Sequence, residues 1–352
     1  MVRIARKRGK VLATALSGVW QQSVPATGLA AAELAEILPL LLKSGSAALA
    51  WWRVRRDSLR NSPAALELQQ AYRLHTLQAA IHEQEIRQGI PFLRSRGIEP
   101  LLGKGWAVAR LYPEPGLRPY GDIDLYVRPE QYDATSEALR GPGVPAFPAD
   151  LHRGCAELDD RSFDELWRRS LVVKLDASGA EVRVFGPEDH LRLLCLHTLR
   201  HGAWRPLWLC DIAVALETRP ADFDWDYFLG GDQRRTDWIA CAIGLAHQLL
   251  GARVAGTPVE WRAGHLPGWL ISTVLRQWGA GQIPHGTRRP MENYLRDPAG
   301  LLGALRMRWP NAIEATVGVR GPFNNWPRLP FQLGECVART FRFVMQTGLS
   351  RS

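Results

Sequence analysis

The residues best suited to chemistry in this chain are Asp122 and Asp124, which lie two positions apart. The apolar residues around them predict a β-strand over Ile123–Val127, and side chains two positions apart on a strand leave the same face, roughly 7 Å apart. Carboxylate oxygens are the hard ligands that magnesium prefers. Two metals held by such a pair can clamp the attacking and leaving oxygens of a phosphoryl displacement. The spacing therefore predicts metal-assisted phosphoryl chemistry.

The bare Asp-x-Asp pattern has little specificity, because Asp222, Asp224 and Asp226 repeat it. That second run leads into a predicted helix near Asp224, where an aspartate can cap the first turn and acidic residues favour the positive helix end. Asp122 and Asp124 instead lie among strand-forming residues after a glycine. The context favours a metal role for the first pair, with a solvated strand edge as the alternative.

A glycine-rich turn upstream supplies candidate nucleotide-binding residues. Gly103, Lys104 and Gly105 join a predicted strand to a predicted helix, where free backbone N–H groups can bind an anion. Lys104 would add a charge for a triphosphate, although an ordinary turn is the alternative. Arg118, in the loop before the aspartates, could also reach phosphates. Gly121 completes this predicted nucleotide-binding set.

A third carboxylate is predicted at Asp150. It lies in an apolar segment, 146–152, that is typical of a strand beside the first one, and such a position would face the same metal. Glu157, Asp159 and Glu181 compete for this role.

Two histidines on a predicted helix form a further constellation. His197 and His201 are four residues apart and therefore share a helix face. A zinc site is not favoured, because a HExxH glutamate and a clear third ligand are lacking. We predict that this helix packs beside the site, with His152, His197, His201 and Asp211 as candidates to face substrate. Ordinary core packing is the alternative for the helical residues.

Periodicity and turn signals predict the helices and strands around these residues. Residues 30–97 have a helical pattern, in which Ser62 and Pro63 have the positions of an N-cap and a first helical residue. The middle third mixes strands and helices, with a predicted hairpin of Val172–Leu175 and Glu181–Phe185. Helices are then predicted at 187–201, 205–217, 224–230, 236–250 and 267–279. The fold class is α/β (α+β), a small mixed sheet between two helical regions.

Four regions follow from this organisation. They are a basic N-terminal arm with helices at 1–62, the catalytic core with its leading helix at 63–186, a helical domain at 187–289 and a basic Trp/Pro-rich region at 290–352. The first residues are basic and are followed by a mildly apolar segment, which we interpret as an exposed arm leading into a helix rather than a signal peptide. No apolar run reaches the roughly 20 residues of a membrane-spanning helix.

The net charge and the cysteine content limit the kinds of binding partner and the cellular location that are expected. The chain has 352 residues, 46% hydrophobic and 22% charged, and a net charge of +9 that favours a polyanion such as a nucleoside triphosphate, a nucleic acid or an acidic membrane surface. Its five cysteines are far apart and form no CxxC pair. This spacing favours a cytoplasmic location over a disulfide framework or a structural zinc site.

The motifs together resemble a known family. Three blocks resemble, in order and spacing, the bacterial uncharacterised nucleotidyltransferase family of the DNA polymerase β-like superfamily. They are Leu102–Gly105, then Tyr112, Pro113, Gly116, Arg118, Pro119, Gly121–Leu125 and Val127, and finally Asp150–His152. The resemblance extends over about residues 60–230. Tyr126 stands where the family usually carries leucine, and Arg153 where an aromatic residue is common.

The resemblance implies transfer of a nucleoside monophosphate from a nucleoside triphosphate, with ATP expected, to an acceptor hydroxyl. Pyrophosphate is released and Mg²⁺ or Mn²⁺ is required. Asp122, Asp124 and Asp150 would be the catalytic metal ligands, and Gly103–Gly105 the phosphate-holding turn. The acceptor stays open: a small molecule, a peptide, a protein or a nucleic acid such as tRNA. The alternatives are an inactive nucleotide-binding regulator or adaptor, and a basic nucleic-acid-binding protein.

Overall fold

A computed structural model describes residues 2–24, 26–141, 143–158, 160–175, 179–281 and 308–349. The N-terminal part is helical, with α1 (Val2–Leu16), α2 (Ala31–Ser44), α3 (Ala47–Val54) and the long α4 (Pro63–Arg94). Helix α4 begins as predicted: the Ser62 hydroxyl accepts a hydrogen bond from the Ala65 N–H at 3.3 Å, and Pro63 is the first helical residue.

Strands occupy the middle of the chain. They are β1 (Leu101–Leu102), β2 (Ile123–Val127), β3 (Ala149–Arg153), β4 (Leu171–Lys174) and β5 (Glu181–Val184), with short helices α5 (Lys104–Ala109), α6 (Tyr132–Ala138) and α7 (Phe163–Arg169) between them. The C-terminal part is helical again. Its helices are α8 (Pro187–Arg200), α9 (Pro206–Glu217), α10 (Trp225–Leu229), α11 (Gln233–Leu250), α12 (Glu260–Gly264), α13 (Gly268–Ala280), α14 (Ala312–Gly318) and α15 (Leu329–Leu349).

The five strands form one mixed sheet in the order β3-β2-β1-β5-β4. Strand β1 is antiparallel to β2 and parallel to β5, β2 is parallel to β3, and β4 and β5 form the predicted antiparallel hairpin. The predicted fold class, a small mixed sheet between helical regions, is therefore confirmed.

The two faces of the sheet pack differently. Ile123, Leu125 and Val127 join a core with Ile86 and Ile90 of α4. Because side chains alternate along a strand, Asp124 and Tyr126 point to the other face. The sheet thus buries an apolar face against α4 and turns its carboxylates toward the C-terminal helices.

That second face adjoins the larger core. The Tyr126 ring packs edge-on against Phe185 with ring centroids 5.0 Å apart, and both belong to the apolar cluster that includes Leu193 and Leu196 of α8. The first C-terminal helices therefore lie over the carboxylate face.

The basic N-terminal segment is not the exposed arm that the sequence predicted. It forms α1, which buries Leu12 and Leu16 and packs closely against α13. Two glycines permit the close contact between α1 and α13. A Cβ atom on Gly9 would lie 2.0 Å from the Leu275 carbonyl oxygen, and a Cβ atom on Gly279 would lie 1.7 Å from the Ala5 carbonyl oxygen. The basic residues of this segment do not predict such a contact, because it depends on small residues in two helices that are distant in sequence.

The described residues contain no helix that is both long and apolar enough to cross a membrane. All five cysteines are free thiols, and four of them are buried.

Helices α12 and α14 were not predicted, because each is too short for its periodicity to be recognised.

Candidate active site

Strand pairing brings two of the predicted carboxylates together. In the parallel register of β2 and β3, Asp124 is the partner of Asp150, and Tyr126 is the partner of His152. Asp124 is buried, whereas the Asp150 side chain is half-exposed. One ligand atom from each of Asp124, Asp150 and His152 can be chosen so that all three lie within 4.8 Å of one another. Two adjacent strands therefore build a cluster of oxygen and nitrogen donors.

Asp124 is the most constrained member of this cluster. Its Oδ1 lies 2.7 Å from the Lys104 ammonium and 3.2 Å from His152 Nε2. Burial alone would raise the pKa of Asp124, but the hydrogen bond with His152 and the charge of Lys104 outweigh it and lower the pKa. The Asp124 carboxylate is thus ionised at neutral pH.

His152 connects the two strands. Its Nε2 lies 3.2 Å from Asp150 Oδ2 as well as from Asp124 Oδ1. The imidazole ring stacks on Tyr126, with centroids 4.4 Å apart. This stacking holds the imidazole against both carboxylates.

Asp122 lies just before β2 and is exposed at a cavity that Asp124 and Asp150 also line. Partial burial and the negative charges of Asp124 and Asp150 raise the pKa of Asp122. Asp122 is therefore near enough to Asp124 and Asp150 for their negative charges to act on it. Such crowding favours a bound cation.

The glycine-rich turn packs against these carboxylates. Lys104 has a positive φ of 38°, which is uncommon for a residue with a side chain. A Cβ on Gly105 would lie 3.2 Å from the Asp122 carbonyl oxygen, and one on Gly103 would lie 2.7 Å from the Tyr126 ring. The turn therefore needs both glycines to come this close, and it directs Lys104 onto Asp124.

Arg118 and Asp211 form a buried ion pair. Arg118 Nη2 lies 2.9 Å from Asp211 Oδ2, and the Tyr112 hydroxyl donates to Asp211 Oδ1 at 2.9 Å. Burial lowers the pKa of Arg118, but the charge of Asp211 outweighs it, so that the pKa is raised. Arg118 lines the cavity and Asp211, which is fully buried, does not. Asp211 was a candidate to face substrate, and it lies instead behind the cavity wall, holding Arg118.

A cavity of about 790 Å³ unites most of the residues singled out from the sequence. Its wall includes Lys104, Gly105, Arg118, Gly121, Asp122, Asp124, Asp150, His152, His197 and His201. Gly103 and Asp211 do not line it. Glu157 does, whereas Glu181 starts β5 and is not part of the wall, and Asp159 lies outside the described residues.

The wall opposite the strands is built by α8 and α9. The His197 and His201 rings are 4.5 Å apart, and Trp208 meets His197 edge-on at 5.0 Å. Burial lowers the pKa of His197, which is therefore neutral at pH 7. Burial would raise the pKa of Glu157, but a hydrogen bond with His197 and the charge of Lys104 bring it to about 2. This wall presents rings and one firmly ionised carboxylate.

Several cavity residues were not predicted from the sequence. Lys43, Gly45 and His75 come from the N-terminal helices, and Arg205 directly precedes α9. No local motif marks them, because each reaches the cavity only through the packing of distant helices.

The second aspartate run has the structural role that its context predicted. Asp224 caps α10 and accepts a hydrogen bond from the Tyr227 N–H at 2.9 Å. Neither Asp224 nor its neighbours Asp222 and Asp226 line the cavity.

Comparison with known families agrees with this geometry. The family model described as uncharacterised nucleotidyltransferase matches residues 30–146 and 147–251, which is more than half of the chain. The chain therefore belongs to this nucleotidyltransferase family, as its motifs predicted, and has a nucleotidyltransferase role in general. Searches of curated proteins and of solved structures find no match.

The carboxylate cluster fits a divalent cation. Asp124, Asp150 and His152 offer converging oxygen and nitrogen donors, and burial together with the charges of Asp124 and Asp150 raises the pKa of Asp122. Carboxylate oxygens suit magnesium and manganese, and an imidazole nitrogen is accepted by several transition metals. These residues can therefore hold a metal ion, as nucleotidyltransferases usually do.

Proposed function

We propose that the protein is a magnesium-dependent nucleotidyltransferase, which moves a nucleoside monophosphate from a nucleoside triphosphate to an acceptor hydroxyl. ATP is the expected donor. The observation that carries this proposal is the convergence of Asp122, Asp124 and Asp150 on one cavity whose other walls carry cationic side chains. Family membership supports the same class of reaction.

The charged residues of the cavity have two different roles in this proposal, cation binding and phosphate binding. The three aspartates would hold the cation, with Asp124 kept ionised by Lys104 and His152. Arg118, held in place by Asp211, adds a fixed positive charge in the cavity wall for the phosphates. Magnesium bound at the carboxylates would neutralise phosphate oxygens and lower the pKa of the acceptor hydroxyl.

The reaction balances without an oxidant or reductant. The acceptor oxygen forms a bond to the α-phosphorus, and the bond from that phosphorus to the oxygen bridging the α- and β-phosphates breaks. Pyrophosphate leaves with the electron pair of that bond. The acceptor proton passes to solvent, which reaches the half-exposed Asp150.

We propose that the acceptor lies against the wall formed by His197, His201 and Trp208. These rings offer stacking surfaces and line the cavity together with the carboxylates. Glu157 and its partner His197 could bind a donor group of the acceptor. A small molecule, a peptide, a protein and a tRNA end all remain compatible with this wall.

The proposal is tested with each of the four α-³²P-labelled nucleoside triphosphates, incubated with purified protein, magnesium and a cell extract as the source of acceptor. Transfer of label by the wild-type protein and its loss in the Asp122→Asn, Asp124→Asn double variant are expected. Omission of metal should also abolish transfer. The labelled product then identifies the acceptor.

Two other results would contradict the proposal. A folded wild-type protein that neither transfers label nor binds a triphosphate in the presence of metal would exclude the enzyme. Nucleic-acid binding that is strong, sensitive to salt and unchanged in the double variant would favour a basic nucleic-acid-binding protein instead.

A further inference from the structure

Arg205 joins three separate parts of the chain at the cavity. It directly precedes α9, and its Nε donates a hydrogen bond to the Ser44 carbonyl oxygen at 2.7 Å, at the C-terminal end of α2. Its side chain lines the same cavity as Asp122 and Arg118. The hydrogen bond satisfies a terminal helix carbonyl and fixes the position of the guanidinium group.

Gly45 provides the room for this guanidinium group. It ends α2 in the left-handed region, with φ of 71°, where glycine is favoured. A Cβ at Gly45 would lie 2.5 Å from Arg205 Nη2 and 3.5 Å from Arg205 Cζ. Any larger residue would therefore have to displace the arginine.

Charge pairing distinguishes Arg205 from three other cations of the cavity, Lys104, Arg118 and Arg200. Lys104 is paired with Asp124, Arg118 with Asp211, and Arg200 with Glu157 at 3.7 Å. Within the described residues, by contrast, no ion pair is formed by Arg205. Its guanidinium is held in the wall without a carboxylate partner.

Arg205 is nevertheless charged at neutral pH. Burial and the nearby charge of Arg118 lower its pKa to about 10, against the smaller opposing effects of Asp211 and Asp122. A partly desolvated cation of this kind gains most from a bound anion. A planar guanidinium can bind two oxygens of one phosphate group.

We infer that Arg205, positioned by Ser44 and Gly45, binds the phosphate chain of the nucleoside triphosphate. Because Asp122 and Arg205 line one cavity, the phosphates of one triphosphate can meet both the cation proposed at the aspartates and the Arg205 guanidinium. The N-terminal helices thereby become part of the active site. This inference rests on the proposed function for the identity of the ligand, and on the unpaired guanidinium for its chemistry.

The test measures binding of inorganic tripolyphosphate and of ATP to the full chain by calorimetry, without acceptor. Arg205→Gln should weaken both affinities by about 10- to 100-fold, the usual effect of losing a charge-assisted hydrogen-bonding group. Arg205→Lys should give an intermediate loss, because it keeps the charge without the two-pronged geometry. In the transfer assay, KM for the triphosphate should rise more than kcat falls.

The matched control is Arg219→Gln. Arg219 also donates to a backbone carbonyl, that of Leu216, and lies outside the cavity. Its substitution should leave tripolyphosphate affinity unchanged. Gly45→Ala, which displaces Arg205 without removing it, should weaken binding in the same direction.

Failure of this inference can be separated from failure of the proposed function. Unchanged tripolyphosphate and ATP affinity in folded Arg205→Gln or Arg205→Lys, or no tripolyphosphate binding by the wild type, would overturn the inference even if label is transferred. Binding that depends on Arg205 in a protein that transfers no label would uphold it and reject the enzyme. Circular dichroism of each variant establishes that it is folded.

Discussion

Two regions of this protein carry the same Asp-x-Asp pattern and use it differently. At Asp122 and Asp124 the carboxylates face a cavity and meet Asp150 from the neighbouring strand. At Asp224 the carboxylate bonds to the backbone of its own helix, where it accepts from the Tyr227 N–H. The first arrangement depends on residues distant in sequence and the second on a partner three residues away.

Helix α8 contacts both regions, which makes the comparison direct. Its Glu188 carboxylate accepts a hydrogen bond from the Asp224 N–H at 2.9 Å, and its His190 lies within the electrostatic influence of Asp124 and Arg118. The same helix therefore adjoins a structural aspartate and a candidate catalytic one. The candidate site therefore depends on the neighbouring strand β3 and on buried charges, and not on the Asp-x-Asp spacing alone.

The largest expected difference between the two regions is in catalysis. Asp124→Asn should lower kcat/KM for nucleotidyl transfer on the order of 10³-fold, as expected when a preorganised charged group is lost. Asp224→Asn should leave kcat/KM unchanged, because Asp224 does not line the cavity. Initial rates of label transfer measure both. Equal losses of kcat/KM in the two variants would mean that the two aspartate runs do not differ in function.

The second largest effect is expected on stability, at the buried ion pair behind the cavity. Asp211→Asn leaves Arg118 buried without its counter-ion and should lower the free energy of unfolding by about 3 kcal/mol. Asp133→Asn is the control, since its pair with Arg153 is largely exposed and should contribute less than about 1 kcal/mol. Urea unfolding at pH 7 measures both. A small loss in Asp211→Asn would mean that Asp211 does little to hold Arg118 in the cavity wall.

A smaller effect is expected from His190, which is buried on α8 near the site. Burial and the charges of Arg110 and Arg118 lower its pKa to about 3, against the opposing influence of Asp124. The unfolded chain takes up a proton near the ordinary value of 6.5, whereas the folded protein does not until about pH 3. The free energy of unfolding should therefore fall by about 2 kcal/mol between pH 7 and pH 5.

His190→Gln supplies the control for this pH dependence. Glutamine does not titrate, so the variant should lose about 2 kcal/mol less than the wild type between the two pH values. Urea unfolding of both proteins at pH 7 and pH 5 gives the difference. Identical pH slopes would mean that His190 is not held neutral.

The smallest effect is expected at the second aspartate run. Asp224→Ala removes the cap of α10 and should lower the free energy of unfolding by about 1 kcal/mol, with no change in label transfer. Urea unfolding and the transfer assay check the two halves of this prediction. A loss of activity in this folded variant would connect Asp224 to the site.

Much of the local structure could be predicted from the sequence. Strand β2 occupies the predicted residues Ile123–Val127, Ser62 and Pro63 begin α4, and the β4–β5 hairpin forms as expected. These features arise from alternation, capping and turn chemistry, which act between residues close in sequence. The same local reasoning assigned Asp224 to a helix cap.

The candidate site was predictable only in part. Local patterns singled out Asp122, Asp124 and Asp150, but only the register of β2 and β3 places Asp150 opposite Asp124. Asp211 was expected near substrate, and the fold instead buries it against Arg118. A pattern along one segment does not say which side of a cavity wall its side chain will occupy.

The sequence alone specifies the donor groups, the strands and helices that carry them, and the family to which the chain belongs. Which of these groups meet in space depends on the tertiary structure. Arg205 shows the reason: its partners Ser44 and Gly45 lie about 160 residues earlier in the chain. Such contacts arise from the packing of whole helices around one core, which short-range sequence patterns do not encode.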